Sequence, residues 1–331
     1  MSEAKVHPED YIQFLIASPR QFTCTEAMRV QPAQPAPPAH DAFNRLLTRL
    51  EPDPEALWQE AAPQIRADEG VLVLDDSTLD KPYARSMDLV CWHWSGKHRA
   101  VVKGINLLTL LWTDGDRHVP CDYRVYDKAN DGLTKNDLFG QLLRAAQSRG
   151  LAPRCVVFDS WYSGLDNLKQ VRSLGWTWLT RLKGNRKVRV DFGAPQAIRT
   201  VDIPDGGVVV YLPGYGEVRV FRVVARDGDT DYWATSDLEM DALTRLKYAE
   251  FGWRIEEYHR GLKQHCGAER CQLRRARGQR AHIGLSLRAF LRLECHCFAL
   301  GISWFQAKLG IIREAVRAYL TTPSIRLPRC A

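Results

Sequence analysis

Two short runs of this chain are apolar without interruption, and each stops at aspartate. Val71–Asp75 reads VLVLD and Arg154–Asp159 reads RCVVFD. A strand with one face in water alternates apolar and polar residues. A run without polar partners is covered on both faces, the condition of a central strand in a parallel sheet. Parallel neighbours need a crossover, and Leu133–Arg149 carries Leu138, Leu142, Leu143 and Ala146 at helical spacing before stopping at Gly150. In sheets joined this way functional groups collect at strand carboxyl ends, where Asp75-Asp76 and Asp159 stand. Between them Met87–Trp94, Gly104–Trp112 and His118–Tyr126 read as strands, parted by hairpin turns at Ser95-Gly96-Lys97 and Asp114-Gly115-Asp116.

The flanks follow other patterns. Residues 1–66 read as a helical module: Tyr11, Phe14, Leu15 and Phe22 recur at rough helical spacing, and Ala42, Phe43, Leu46, Leu47 and Leu50 form a second stripe. The Pro/Ala-rich stretch Gln31–His40 breaks them apart. Such a pair suits a helix-turn-helix-like DNA-binding module and equally a helical cap. Residues 67–176 are the first part of the core. Residues 177–235 turn β-rich again, with strands over Trp178–Leu182, Val188–Val190, Val208–Leu212, Val218–Val224 and Tyr232–Thr235, an antiparallel insertion. Ser236 and Glu239 have capping-box spacing and predict that residues 236–331 open as a long helix and stay helical and partly basic.

A third acidic site lies on that helix. In Trp253–Gln264, Ile255, Tyr258, His259 and Leu262 form the core stripe, while Glu256, Arg260 and Lys263 share a neighbouring face. An i,i+4 Glu–Arg pair on a solvated helix accounts for that face; so does a metal ligand flanked by phosphate-binding cations. The stretch 253–292 holds ten Lys/Arg against three acids, a net of +7, which is also the formal charge of the whole chain. Charge so concentrated is the footprint of a polyanion contact, although a solvated basic face looks the same.

Hydrophobic residues make up 45% of the chain and charged ones 26%, ordinary for a globular protein. There is no run of ~18 apolar residues and no apolar N-terminal stretch, so a cytoplasmic location and no membrane partner are expected. Nine cysteines without a C-x-x-C pair argue against a disulfide framework. No phosphate-binding G-x-x-x-x-G-K-[ST] loop occurs, and neither Ser77 nor Ser160 sits in a nucleophile elbow.

Four segments, VLVLDDSTLDK (Val71–Lys81), VKGINLLTLLW (Val102–Trp112), VVFDSWYSG (Val156–Gly164) and WRIEEYHRGLK (Trp253–Lys263), together resemble the DDE transposases of bacterial insertion sequences, the group with a Tyr-Arg-Glu-Lys signature. Phe14–Arg29 resembles the helical DNA-binding segment of some members. Strand, two hairpins, helix and strand is also the order of an RNase H-like α/β core, here with the β-rich insertion before the last catalytic helix. The resemblance implies Asp76, the acid immediately before Ser-Thr, as the first catalytic aspartate and metal ligand, with Asp75 as the fallback. It implies Asp159 as the second and Glu256 as the glutamate. Lys263 matches the signature lysine that contacts DNA, and Arg254, Arg260, Arg274, Arg275 and Arg277 are further candidates for DNA contact. Two signature positions depart: Gly252 stands where arginine is expected and Ala249 where tyrosine is expected. The implied cofactors are two Mg²⁺ (or Mn²⁺) ions. The implied partners are double-stranded DNA, as transposon ends and target, and further copies of the chain on DNA. The implied activity is metal-dependent cleavage at transposon ends and strand transfer. The departures keep open a catalytically inactive DNA-binding relic, and an RNase H-like nuclease without strand transfer is a separate alternative.

Overall fold

The computed structural model describes residues 4–33, 35–95, 100–191 and 193–323. Most of the expected turn at Ser95-Gly96-Lys97 lies outside them. Among the described residues the helices are α1 (Pro8–Ala17), α2 (Cys24–Arg29), α3 (His40–Arg49), α4 (Pro54–Ala61), α5 (Lys135–Ser148), α6 (Leu165–Ser173), α7 (Ala242–His265), α8 (Ala276–Leu300) and α9 (Trp304–Thr321). The strands are β1 (Val71–Asp80), β2 (Cys91–Ser95), β3 (Ala100–Thr113), β4 (Val119–Tyr126), β5 (Cys155–Phe158), β6 (Trp178–Leu182), β7 (Lys187–Val188), β8 (Gln196–Ala197), β9 (Val208–Leu212), β10 (Gly216–Val224) and β11 (Thr230–Thr235). The chain is mixed α/β and divides into two compact units. One takes Pro54–Arg85 and Leu89–His259; the other takes Met1–Asp53, Ser86–Asp88 and Arg260–Ala331. No single described helix is long and apolar enough to cross a membrane.

The first unit is organised by a sheet of order β2-β3-β1-β5-β6-β11-β10-β9, with β4 also paired to β3. β1 is antiparallel to β3 and parallel to β5, and β5 is parallel to β6. Val71–Leu74 and Cys155–Phe158 are buried throughout, as uninterrupted apolar runs require. The crossover α5 starts at a reciprocal cap: Asp137 N–H donates to the Thr134 hydroxyl and Thr134 N–H to the Asp137 carboxylate, at 3.2 and 2.7 Å. The β-rich segment extends this sheet through β11, which pairs antiparallel with β6.

Strand alternation separates the two faces of the sheet. α7 covers one of them: a Cβ at Gly252 would come within 2.8 Å of Val157 Cγ1, and the Tyr258 hydroxyl is 3.5 Å from Thr109 Oγ1. α5 covers the other, where Phe139 meets Phe158 edge-on at 5.2 Å. α7 begins at Ala242, later than the capping-box spacing predicts. The Ser236 hydroxyl is engaged by Trp178 N–H at 3.1 Å, and Asp241 caps the helix instead, accepting from Thr244 N–H at 2.6 Å.

The second unit is helical. α8 runs through it with Ala281, His282, Ile283, Leu285, Leu287, Phe290 and Leu291 buried. The His282 ring lies 3.0 Å from both the Tyr11 hydroxyl of α1 and the Gly267 carbonyl. Gly267 has a φ of +64°, and a Cβ there would come within 2.4 Å of the Phe22 ring, so no other residue fits. Lys308 of α9 donates to the carbonyls of Leu15, Ile16 and Ser18, satisfying the end of α1, and its burial lowers its pKa to about 8.

Candidate active site

The parallel register of β1 and β5 matches Val73 with Val157 and Leu74 with Phe158. One step further, where the parallel pairing ends, stand Asp75 and Asp159, on strands about 4.8 Å apart. Asp159 lies just past β5, whereas β1 runs on to Asp80 through its pairing with β3, so Asp75 sits mid-strand and does not close it as the apolar run suggests. Alternation sends Asp75 to the face of Val73 and Val157, which is the α7 face. Thr109, paired with Asp75 across β3 and touching Tyr258, shows the same. Asp76 goes to the opposite face. There its carboxylate accepts from the Tyr162 hydroxyl at 2.7 Å, Lys135 Nζ at 2.8 Å and Asn106 Nδ2 at 2.5 Å. Asp76, expected as the first catalytic acid because it precedes Ser-Thr, therefore does not share a face with the other two acids. Asp75 does.

Glu256 comes from α7. The predicted stripe of Ile255, Tyr258, His259 and Leu262 is buried, which leaves Glu256 exposed beside it. Its neighbour Glu257 is engaged elsewhere, accepting from Arg254 at 2.8 Å with His118 Nε2 at 3.3 Å. Burial favours the neutral form of Glu257, but those two partners outweigh it and hold its carboxyl below the usual range.

The electrostatics separate the adjacent aspartates as the faces do. Burial, then the charges of Asp76, Glu256 and Asp159, push the Asp75 carboxyl well above the usual carboxylate range. Burial acts on Asp76 in the same direction. The Lys135 ammonium and the hydrogen bonds from Lys135, Asn106 and Tyr162 outweigh it, so the Asp76 carboxyl lies below that range. Asp159 is ion-paired with Arg181 at 3.0 Å, on the strand beside it. Neither Arg181 nor the cradle around Asp76 follows from sequence spacing. Asn106 and Thr109, polar residues inside the apolar run GINLLTLLW, were the available signal.

Carboxylates are the hard oxygen donors that Mg²⁺ and Mn²⁺ take. On the α7 face the charges of Glu256 and Asp159 bear on Asp75, an anionic excess that a divalent cation relieves. The donor set thus fits such an ion in chemistry. As the side chains stand, no three His, Cys, Asp or Glu among the described residues converge closely enough to hold one.

The expected DNA-contacting cations have different surroundings. Arg254 is held by Glu257. Arg277 is spent on structure: it donates to the carbonyls of Arg49 and Leu50, at 2.7 and 3.2 Å, and pairs with Glu51 at 2.7 Å. Arg260, Arg274 and Arg275 are exposed, and Lys263 is half-buried. Part of the +7 stretch therefore braces the helical unit, Arg292 with Glu9 included.

The departure at Gly252 has a packing cause. α7 approaches β5 so closely there that any side chain would press on Val157, which is 3% exposed and stiff at χ1. Restoring the signature residue as Gly252→Arg is expected to cost about 1–3 kcal/mol. The check is chemical denaturation; unchanged stability would mean that the helix shifts freely.

The sequence model of a family described as DDE superfamily endonuclease matches residues 9–201. That span contains Asp75, Asp76 and Asp159 and ends before Glu256. Among solved structures, the cryo-EM piggyBac transposase synaptic complex with hairpin DNA is similar at a TM-score of 0.53 and 10% identity, over 98% of this chain and 74% of that one. A Drosophila P element transposase strand transfer complex is similar at a TM-score of 0.29 and 11% identity, over 60% of this chain and 49% of that one. No curated protein sequence matches this chain. At 10% identity the piggyBac likeness speaks to fold alone.

Proposed function

The chain belongs to the DDE superfamily endonucleases, and we propose that it is a transposase, cutting DNA at the ends of a mobile element and joining those ends to target DNA. The observation that carries this reading is the shared face of Asp75, Asp159 and Glu256. Two acids stand where the pairing of adjacent parallel strands ends and the third stands on the helix that covers them. The order β4-β3-β1-β5-β6, antiparallel on one side of β1 and parallel on the other, supports an RNase H-like core. Trp253–Lys263 supports placement in the Tyr-Arg-Glu-Lys group of insertion-sequence enzymes, with the arginine displaced by packing at Gly252.

In this reading Asp75, rather than Asp76, is the first ligand, with Asp159 and Glu256 completing the set for two Mg²⁺ or Mn²⁺ ions. Such ions supply activation of the attacking oxygen and charge stabilisation at phosphorus. The chain's own residues do the rest. The hydrogen bonds and ion pair of Asp76 fix the middle of β1 and so aim Asp75 at the α7 face. Glu257, tied to Arg254 and His118, sets the rotation of α7 that presents Glu256. Arg181 balances the charge of Asp159 in the absence of metal. Double-stranded DNA is the partner in this reading, and the exposed Arg260, Arg274 and Arg275 are cations that phosphates take.

The test is Mg²⁺-dependent cleavage of DNA carrying the element ends, comparing wild type with Asp159→Asn and Glu256→Gln. Wild type is expected to cut and join, while the variants bind without cutting. Binding without cutting by wild type, with Mg²⁺ and with Mn²⁺, would favour the inactive relic. Cut but unjoined products would favour a nuclease without strand transfer.

A further inference from the structure

The edge of the sheet is aromatic where an edge is ordinarily polar. β2 ends the strand order, and edge strands carry charged or polar side chains toward water. Here Trp92 and Trp94 are 66% and 69% exposed, and Val101, paired with Trp94 across β3, is 57% exposed. Trp92 pairs with Lys103, whose ammonium donates to the Ala84 carbonyl. Next to Ala84, Tyr83 is 94% exposed. Tyr83, Trp92 and Trp94 thus bring three exposed aromatic side chains to one end of β3.

Register fixes which way this ribbon faces. From Thr109, the partner of Asp75, β3 leads back to Lys103 and Val101 by even steps, and side chains at even steps share a face. Cross-strand partners share it too, so Trp92 and Trp94 stand on the face of Asp75, Asp159 and Glu256. The ribbon extends in the direction in which β1 and β5 run, beyond both aspartates. At ~3.3 Å per residue, Lys103 lies roughly 20 Å and Val101 roughly 26 Å along β3 from Thr109.

Charge and spacing select the occupant. From Leu89 to Thr113 the chain has no acid, against Lys97, Arg99 and Lys103. Aromatic side chains interleaved with cations are the chemistry by which proteins hold unpaired bases along a strand. Residues two apart on a strand are about 6.6 Å apart. That is close to twice the ~3.4 Å rise of stacked bases, so one base has room between the Trp92 and Trp94 rings. Bases inside a duplex already stack on one another and offer no free face, which selects an unpaired strand. Resting on the transposase reading for the choice of DNA, we propose that Trp92 and Trp94, with Tyr83 beside them, stack on unpaired bases of the strand that leaves the acids. The distance along β3 corresponds to roughly six to eight nucleotides at ~3.4 Å each.

The test uses the full chain in EDTA, so that nothing is cut. The probe is a labelled oligothymidylate of about 12 nucleotides, within the ~4–16 that such grooves span, followed by anisotropy beside a duplex of equal length. Wild type is expected to bind the single strand, with quenching of its tryptophan fluorescence. Trp92→Ala with Trp94→Ala should weaken that binding about 100-fold and leave duplex binding within about twofold. Trp94→Phe keeps a ring face and should retain most of the affinity, whereas Trp94→Leu, apolar without one, should lose about as much as Trp94→Ala. Circular dichroism verifies folding, and the single alanine variants, about tenfold each, give the reading if the double variant unfolds. A wild type that leaves the single strand unbound overturns the proposal, as does an equal loss on duplex and single strand, or Trp94→Leu binding as wild type does. Cleavage is not read: a chain that cuts element ends but ignores the oligothymidylate sinks this inference alone, and one that stacks bases but never cuts sinks the transposase reading alone.

Discussion

Asp75→Asn is expected to abolish metal-dependent DNA cleavage while raising the stability of the metal-free protein. The loss of activity follows from removing an anionic ligand: charge stabilisation of several kcal/mol is at stake, so a fall of about 1,000-fold or more is expected. The gain in stability follows from Asp75's surroundings, in which burial and then Asp76, Glu256 and Asp159 disfavour its ionised form. A carboxyl whose pKa is raised by folding binds its proton more tightly in the folded state. Its effect is to make stability fall as pH rises from the ordinary carboxylate value of about 4 through the raised folded value. Asparagine keeps the shape and removes the charge, so thermal melts in EDTA at pH 7 should move upward and lose part of their pH dependence. Metal reverses the ranking. At a hundredfold excess over its dissociation constant a bound ion adds about 2.7 kcal/mol to wild type, and the variant should gain little. If Asp75→Asn still cuts while Asp76→Asn does not, the assignment of the two acids is inverted.

What the sequence makes legible here is whatever repeats at the period of a strand or a helix. The apolar runs before Asp75 and Asp159 require buried parallel strands; they put Asp159 at the carboxyl end of β5, but not Asp75 at that of β1, which runs on to Asp80 through its pairing with β3. The spacing of Ile255, Tyr258, His259 and Leu262 places Glu256 outside the core stripe. The choice between Asp75 and Asp76 is different. Adjacent residues on a strand point to opposite faces, and the face is fixed by which helix packs where, a long-range fact. Only the contacts of Gly252 with Val157 and of Tyr258 with Thr109 reveal it. The start of α7 is obscured for a related reason, since Ser236 can cap a helix or accept from a neighbouring strand, and Trp178 N–H decides. Charge counting is coarser still. It finds the +7 stretch but cannot see that Arg277 and Arg292 are consumed by the helical unit's own carbonyls and acids.

Asp76→Asn should act in the opposite sense from Asp75→Asn, lowering stability by about 3 kcal/mol at pH 7. Lys135 and Asp76 are 17% and 18% exposed, so neither can turn to water for full compensation. Lys135 also lies 5.3 Å from the centre of the Trp161 ring, which holds it in place. Removing the carboxylate charge leaves that ammonium without its counter-ion, the costly half of a buried pair. Lys135→Met added to Asp76→Asn should recover much of the loss, and the double-mutant cycle isolates the pair. The pH dependence fixes the sign independently. Folding lowers the Asp76 pKa, so its contribution is present above the ordinary value of about 4 and is lost as pH falls through the lower folded value. Wild type and Asp76→Asn should therefore differ in urea midpoint at pH 7 and draw together as pH falls through the lowered folded value. Equal midpoints at pH 7 would mean that Lys135 finds another acceptor, and Asp76 would then be available for metal after all. Because an acid in a satisfied cradle has its negative charge already balanced, and an acid among acids does not, these two melts locate the metal ligand without any assay of DNA.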